Sequence, residues 1–561
     1  MSADLKVLVV GGYGTFGGRL IDLLLDSPRL VLLVAGRSLR SAEAFCKARP
    51  QARATLVPVA FDRAQEIAPQ LAKLRPDVVV DASGPFQAYG EDPFRLVRAS
   101  VALGIHYLDL ADGAAFVAGI AAFDAGARAA GISVLSGASS FPVLTAAAVR
   151  ALATDMARVE SIRGGIAPSP YAGVGRNVIR AIAGYAGQPA QLRRGGRIAI
   201  GHPLTETLRT VIAPPGRLPL ESRLFSLVDV PDLRALAQLW PEAKDIWMGA
   251  APVPEILHRA LILLAWLVRL RVLPSALPFA SMMHAATNRV RWGEHRGGMF
   301  VAVDGIDRAG RTVRRSWHLL AEGDAGPLIP SMAVEALVRR MIEGQFPAPG
   351  ARPATTVLEL ADYERLFAGR TIYTGMRHES SATPLYRSLL GSAWHALPAE
   401  IQSMHDVADC AQAKGVAQVS RGSSLLARLV AALLGFPDAC RETAVQVHFD
   451  AANGSETWTR RFAGKSFSSR QSAGTGRWQH LLCERFGPLV FAMALVVEDD
   501  RLRLVLRGWS LFGLRLPMAL GPRADAYESV ADGKFRFHVE IGHPLMGLIV
   551  RYRGWLARVA Q

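Results

Sequence analysis

The chain has 561 residues, half of them hydrophobic and a fifth charged, which excludes a disordered chain and is too long for one compact core. Lys and Arg number 64 against 48 Asp and Glu, a formal charge of +16. The basic residues are scattered, with no zinc-finger spacing, no aromatic-rich RNA-binding strand and no long basic tract, so no nucleic-acid partner is expected.

Leu5–Val10 is an apolar run, LKVLVV, read as the first strand. It leads straight into Gly11, Gly12, Tyr13, Gly14, Thr15, Phe16 and Gly17. A glycine ends the strand in a tight turn, a second lets backbone approach a pyrophosphate, and a third lets the next helix pack closely. That helix is predicted over Thr15–Leu25, with its amino end toward the phosphates. The second strand, Leu30–Ala35, runs into Gly36, Arg37 and Ser38, and no carboxylate follows before Glu43. An NAD site places an acid there for the ribose hydroxyls, whereas a guanidinium fork binds a ribose phosphate. The predicted cofactor is therefore NADP(H).

Strand and helix keep alternating: a helix at Ser41–Ala48, a strand at Thr55–Ala60 ending near Asp62, a helix to Leu74, and a strand at Asp77–Asp81 opening onto Ser83, Gly84 and Pro85. A helix over Glu91–Leu103, a strand from Ile105 to Leu108, a helix over Ala115–Ala130 and a strand at Ile132–Leu135 complete a Rossmann-type parallel sheet over residues 1–154. Ligands sit at the carboxyl ends of such strands. Asp62, Ser83, Gly84 and Pro85 are accordingly assigned to the cofactor, and Tyr107 and Asp109 are the candidates for proton handling. The alternative for that last pair is structural, Asp109 capping a turn and Tyr107 packing under the sheet.

Residues 155–350 read as an α/β substrate-type domain, with strands near Ser161–Ile166, Phe225–Val228, Met299–Asp304 and Thr312–Leu320 and a helix to Ile342 opened by Pro330. Ala260–Ala280 approaches the length of a membrane span, but Arg269, Arg271, Pro274 and Pro278 interrupt it. It reads as a buried helix or hairpin, with an in-plane membrane contact as the alternative. Ala351–Pro353 and Ser380–Pro384 bracket a linker. Residues 384–557 read as a separate, mainly β domain, with helices at Leu385–Leu390 and Ser424–Leu434 and strands at Ala444–Phe449, Glu456–Phe462, Val490–Val497, Leu502–Arg507, Phe535–Ile541 and Leu548–Tyr552. Glu484 and Arg485 suit either a buried pair or the lining of a small-molecule cleft.

No HExxH or histidine cluster suggests a metal, and Phe141 takes the last glycine position of a nucleophile elbow at Ser139–Ser140, which argues against a hydrolase. The four cysteines, Cys46, Cys410, Cys440 and Cys483, are far apart, as suits a reducing compartment. MSADLK leads directly into the first strand, so a cytoplasmic location is expected, on the inner membrane face if 260–280 touches lipid.

GGYGTFGG, the AGR after the second strand, DASGPF at 81–86, HYLDLADG at 106–113, GASSFPVLTAAAV at 137–149 and AEGDAGPLIPSMAVEALV at 321–338 together resemble the saccharopine dehydrogenase-like oxidoreductase family over about residues 1–350. That resemblance implies an NADP-type Rossmann domain, an α/β substrate domain and hydride chemistry on a carbon–nitrogen centre or an unassigned reduction. The function expected is hydride transfer to or from a small organic or lipid-like substrate, with a cofactor-binding regulatory or scaffold protein without turnover as the alternative. The family fingerprint maps onto Gly11, Gly14 and Gly17, its strand-end contacts onto Gly84 and Pro85, and its YxDL segment onto Tyr107 and Asp109. Residues 384–557 resemble a bacterial domain of unknown function that often follows such a reductase, through PLYRSLLGSAWHALP, VSRGSSLLARLVAALLGFP, WTRRFAGKSFSS, ERFGPLVFAMAL and PLMGLIVRYRGWL.

Overall fold

The computed structural model describes residues 4–379 and 383–559, which form two units. In the first, the strands β1 (Leu5–Val10), β2 (Leu30–Gly36), β3 (Thr55–Ala60), β4 (Val78–Asp81), β5 (His106–Asp109) and β6 (Ser133–Ser136) lie in the order β6-β5-β4-β1-β2-β3. All neighbouring pairs among them are parallel. This is the doubly wound order of a dinucleotide-binding fold. The crossovers include α1 (Thr15–Leu24), α2 (Leu39–Lys47), α3 (Ile67–Leu74) and α4 (Arg95–Ala102). Leu8, Val10, Val79, Leu96, Tyr107 and Val134 pack together in the core on one face. The strands are apolar nearly throughout because both faces are covered.

Two expectations change here. The helix expected over Ala115–Ala130 is two, Ala114–Gly119 and Asp124–Ala129, joined by a 3-10 turn. The break follows Gly119, where a Cβ would fall 2.6 Å from the Phe94 ring. Ala351–Pro353, expected to border a linker, belongs instead to a seventh strand, which extends the same sheet in parallel beyond β6, and the bracketed stretch carries a helix at Leu360–Phe367 and a strand at Ile372–Glu379. The other border, Ser380–Pro384, has residues 380–382 outside the described ones.

The second region of this unit begins with α5 (Thr145–Ala153) and β6's successor β7 (Met156–Ala167), followed by α6 (Arg176–Tyr185). Strands β8 (Arg223–Leu227), β9 (Asp245–Ala250) and β10 (Arg296–Asp307) flank β7 in the order β8-β9-β7-β10. Helix α7 (Glu255–Arg269) covers the first half of the 260–280 segment and buries Ala265 and Val268 against Ile179 and Ala183 of α6. A 3-10 turn at Leu277–Phe279 and a helix at Ala280–Arg289 follow, while Leu263, Trp266, Leu270 and Val272 are exposed, so the segment is only partly buried. Among the described residues no helix is long and apolar enough to cross a membrane. Helix α8 (Ile329–Ile342) returns to α1, with Ser331 Oγ donating to Phe16 O at 3.1 Å, and leads to β11 (Gly350–Pro353), the seventh strand.

The second unit is a mainly β barrel. Its strands are β12 (Cys410–Arg421), β13 (Cys440–Ala452), β14 (Ser455–Phe462), β15 (Lys465–Ala473), β16 (Leu482–Phe486), β17 (Leu489–Glu498), β18 (Arg501–Leu511), β19 (Leu514–Leu516), β20 (Arg523–Ala531), β21 (Lys534–His543) and β22 (Gly547–Arg558). They run β17-β16-β15-β14-β13-β12-β22-β21-β20-β18, and β17 also pairs with β18, which closes the ring; β19 only extends β18. Closure removes the unpaired strand edges of an open sheet. Residues 209–223 and 313–320 also belong to this unit, so it is not confined to 384–557.

Candidate functional site

The glycine turn is as tight as its sequence demands. Gly11 adopts φ +80°, and a Cβ there would lie 2.9 Å from Ser83 Cα and 3.0 Å from Ala82 O. A Cβ on Gly17 would fall 2.3 Å from Gly11 O, so α1 packs directly on the turn. Gly12 faces Val9 O, and the Gly14 N–H donates to Gly11 O at 2.8 Å. Gly14 is the N-cap of α1 and supplies no side chain to its free amides. Thr15 and Phe16 open that helix, leaving an end suited to an anion.

Tyr13 and the end of β2 form one surface. The Tyr13 ring occupies the place of a side chain at Gly36, where a Cβ would be 2.4 Å from it. Its hydroxyl accepts the Ser38 N–H at 3.0 Å. Ser38 Oγ in turn accepts the Ser41 N–H at 3.2 Å and caps α2. Arg37 and Ser38 are both exposed. Asp62 shapes the turn after β3: Oδ1 accepts the Ala64 N–H at 3.0 Å, and its own N–H donates to Gln70.

A polar cluster closes the end of β4. Ser83 Oγ donates to Asp81 Oδ1 at 2.6 Å, and Arg63 Nη1 lies 3.1 Å from Asp81 Oδ2. The Tyr89 hydroxyl reaches both carboxylate oxygens at 3.2 Å, while Arg63 stacks on its ring at 3.5 Å. Burial, reinforced by Asp81, pushes the Tyr89 phenol well above its ordinary range. Asn177 of α6 donates to Gly84 O at 2.8 Å, so the second region touches the strand-end segment Gly84–Pro85. Arg63, Tyr89 and Asn177 were not singled out from sequence; each meets its partner only through the fold.

Tyr107 and Asp109 lie on the same face of β5, both at 0% exposure. Asp109 Oδ1 accepts from Gly137 N at 2.7 Å, Ala111 N at 3.0 Å and Ser136 Oγ at 3.0 Å. Its Oδ2 has no hydrogen-bond partner among the described residues, and neither has the Tyr107 hydroxyl. Burial raises the Asp109 carboxyl to about 7, against the pull of those three donors. Burial likewise raises the Tyr107 phenol. Among the described residues no group of three His, Cys, Asp or Glu could hold a metal.

A family model described as "Domain of unknown function (DUF4166)" matches residues 397–556. No curated protein matches the chain. Among solved structures, it is similar to saccharopine dehydrogenase (L-Glu forming) from Saccharomyces cerevisiae at 15% identity, over 67% of this chain and 100% of that one, with a TM-score of 0.49. A myo-inositol dehydrogenase from Corynebacterium glutamicum matches at 12% identity over 61% of this chain and 90% of that one, TM-score 0.31. The WlbA (WbpB) dehydrogenase from Thermus thermophilus, solved with NAD and UDP-GlcNAcA, matches at 12% identity over the same shares, TM-score 0.28. At such identities and TM-scores these likenesses assign no role to this chain.

Proposed function

We propose that the chain is an NADP(H)-dependent oxidoreductase of the saccharopine dehydrogenase-like type, moving a hydride to or from a small organic or lipid-like substrate. The observation that carries this reading is the glycine cradle: backbone fills the Cβ positions of Gly11 and Gly17 beside an uncapped ten-residue helix. The free amides at the start of α1 take the pyrophosphate. Arg37 and Ser38, exposed at the end of β2 with no carboxylate following in sequence before Glu43, take the ribose phosphate. Tyr13 forms a floor next to them, while Asp62 and the Ser83–Pro85 segment line the strand ends.

When bound, the nicotinamide supplies the hydride chemistry. The chain has to position the substrate and handle a proton. Asp109, raised to about 7 and with one oxygen unpaired, can hold or release a proton near neutrality. Tyr107 beside it on the same strand is the second candidate. The complete burial of both favours a second reading, a cofactor-binding protein without turnover.

Titration of the purified full chain with NADPH and NADH tests the first claim, and Arg37→Ala should weaken NADPH alone. Stereospecifically labelled NADPH offered with a panel of carbonyls and imines separates the two readings. Transfer that Asp109→Asn slows more than it weakens cofactor binding supports the enzyme. Tight binding with no transfer to any acceptor supports the alternative.

A further inference from the structure

The barrel of the second unit encloses a cavity of about 380 Å³, within the range of about 300–1,000 Å³ typical of ligand pockets. A closed barrel of about eight strands is just wide enough for its own side chains to fill. The ring here has two more, and its interior is walled mainly by apolar residues such as Val447, Phe449, Met493, Leu504 and Phe537.

The two ends of this cavity differ. Helix α9 (Leu425–Leu433) follows the end of β12 and precedes the start of β13, so it covers one end. The 544–546 hairpin and the 512–522 connection fall at that same end, because β22 starts beside the end of β12 and β20 starts beside the end of β21. Val430, Leu434, Leu520 and Met546 of these segments line the cavity. Their neighbours point outward: Leu425 is 80% exposed, Leu433 77%, Phe512 79% and Leu545 84%. Large apolar side chains from three separate segments thus surround one mouth. A ring of this kind marks an interaction surface and is not the pattern of singly scattered hydrophobes.

The opposite end is polar and buried. His405, just before β12, stacks on Tyr386 at 3.8 Å and pairs with Glu528 at 2.5 Å. The Tyr386 hydroxyl donates to Gln471 at 3.0 Å, and Gln471 donates to Glu484 at 3.2 Å. Glu484 also accepts from Arg460 at 3.1 Å, so the partner suspected in sequence, Arg485, is not the one it takes. Among the described residues, two carboxylates therefore line this end against one guanidinium, which is already engaged. An incoming anionic headgroup would meet them with no free Lys or Arg among the described lining residues, whereas a hydroxyl brings the donor that a carboxylate accepts.

We propose that the barrel is a binding site for one elongated apolar molecule ending in a hydroxyl, with that hydroxyl at the His405–Glu484 end, and that the ligand loads from a lipid bilayer through the apolar mouth at α9. The bilayer is the chosen occupant of that mouth because its exposed residues are continuous with the cavity wall. The proposal does not depend on the dinucleotide reading, and its test uses no cofactor.

The probes are retinol and retinoate, the same skeleton ending in hydroxyl or carboxylate, added to the full chain. Retinol should bind at one per chain with energy transfer from the lining Trp458. Retinoate should bind at least about tenfold more weakly, because its charge is desolvated beside fixed carboxylates. Ala526→Trp, which fills the cavity, should abolish binding; if that variant melts early, Val447→Phe takes its place. The double change Leu429→Ser and Leu433→Ser, on the exposed face, should leave the affinity for free retinol unchanged but slow uptake from phosphatidylcholine vesicles several-fold. A folded chain that binds no retinol, or retinol binding unchanged by the filling variants, would overturn the site. Retinoate bound as tightly as retinol would overturn the hydroxyl assignment, and vesicle uptake untouched by the double variant would overturn the entrance.

Discussion

Replacing Gly17 with alanine probes the phosphate turn at its closest approach, and Gly18→Ala is its built-in control. Both positions are buried in the first turns of α1, and in an ideal helix each change gains about 0.8–1 kcal/mol of propensity. They differ in what the new methyl meets. At Gly17 it would lie 2.3 Å from Gly11 O and 2.8 Å from Gly11 C, backbone atoms of the turn itself. At Gly18 it would meet Phe45 Cε2 at 3.1 Å, the edge of a half-buried ring that can shift by a few tenths of an ångström. Overpacking against fixed atoms costs about 1–3 kcal/mol, so it outweighs the propensity gain at Gly17 and not at Gly18. Moving α1 off the turn also displaces the amides proposed to hold the pyrophosphate. Gly17→Ala should therefore lower the melting temperature of the first unit and weaken NADPH at least about tenfold, about 1.4 kcal/mol. Gly18→Ala should melt at or slightly above the parent and bind normally. Thermal melts and NADPH fluorescence titrations read both quantities. If Gly17→Ala bound NADPH within twofold of the parent and melted no lower than Gly18→Ala, the packing argument would be wrong.

Further outcomes follow from other parts of the chain. Arg37→Ala removes the charge-assisted contact proposed for the ribose phosphate, worth about 1.5–3 kcal/mol, so NADPH should weaken about 10- to 100-fold in a titration while NADH hardly changes. Because burial raises Asp109 from its ordinary value to about 7, the folded unit prefers the neutral acid. Its contribution to stability is full below the unfolded carboxyl range and is lost as pH rises through about 7. Asp109→Asn should flatten the fall in denaturant midpoint between about pH 4 and 7 relative to the parent. The exposed Leu263 and Trp266 of α7 are the residues to change to test the alternative of an in-plane membrane contact at 260–280. Serine at both should reduce salt-sensitive flotation with anionic vesicles, and flotation that ignores them would remove that contact from consideration. A fragment of residues 380–561 lacks Gly216, whose carbonyl accepts the Val497 N–H at 2.9 Å, and Leu218, which packs beside Val490 and Ala492. It should unfold at lower denaturant than the same barrel in the whole chain.

The parts of the fold legible in sequence were those whose signal is local. Leu5–Val10 is buried on both faces and is followed by glycines that the turn geometry requires, so run and punctuation agree. Gly350–Pro353 carried no such mark: Ala351–Pro353 read as the border of a linker, yet proline is tolerated at the edge of the sheet, where among the described residues this strand pairs with β6 alone. The strand Lys465–Ala473 was missed for a different reason. Its inward positions include Ser469 and Gln471, which serve the polar end of the cavity, and so apolar alternation breaks where the interior is itself polar. In the candidate site the glycines and Arg37 were visible because they belong to one continuous motif. Arg63 meets Asp81 across 18 positions of sequence, and Asn177 reaches Gly84 across 93. No local pattern encodes either meeting.

The central claim is that NADP(H) lies across the amino-terminal sheet, with its pyrophosphate on α1 and its ribose phosphate at Arg37. A crystal structure of the full chain soaked or grown with NADP+ tests it most directly. The expected density places the pyrophosphate within hydrogen-bonding distance of the amides at Thr15 and Phe16, the 2′-phosphate against Arg37 and Ser38, and the nicotinamide beyond the ends of β4–β6. A dinucleotide bound elsewhere, or a 2′-phosphate turned away from Arg37 into solvent, would contradict it.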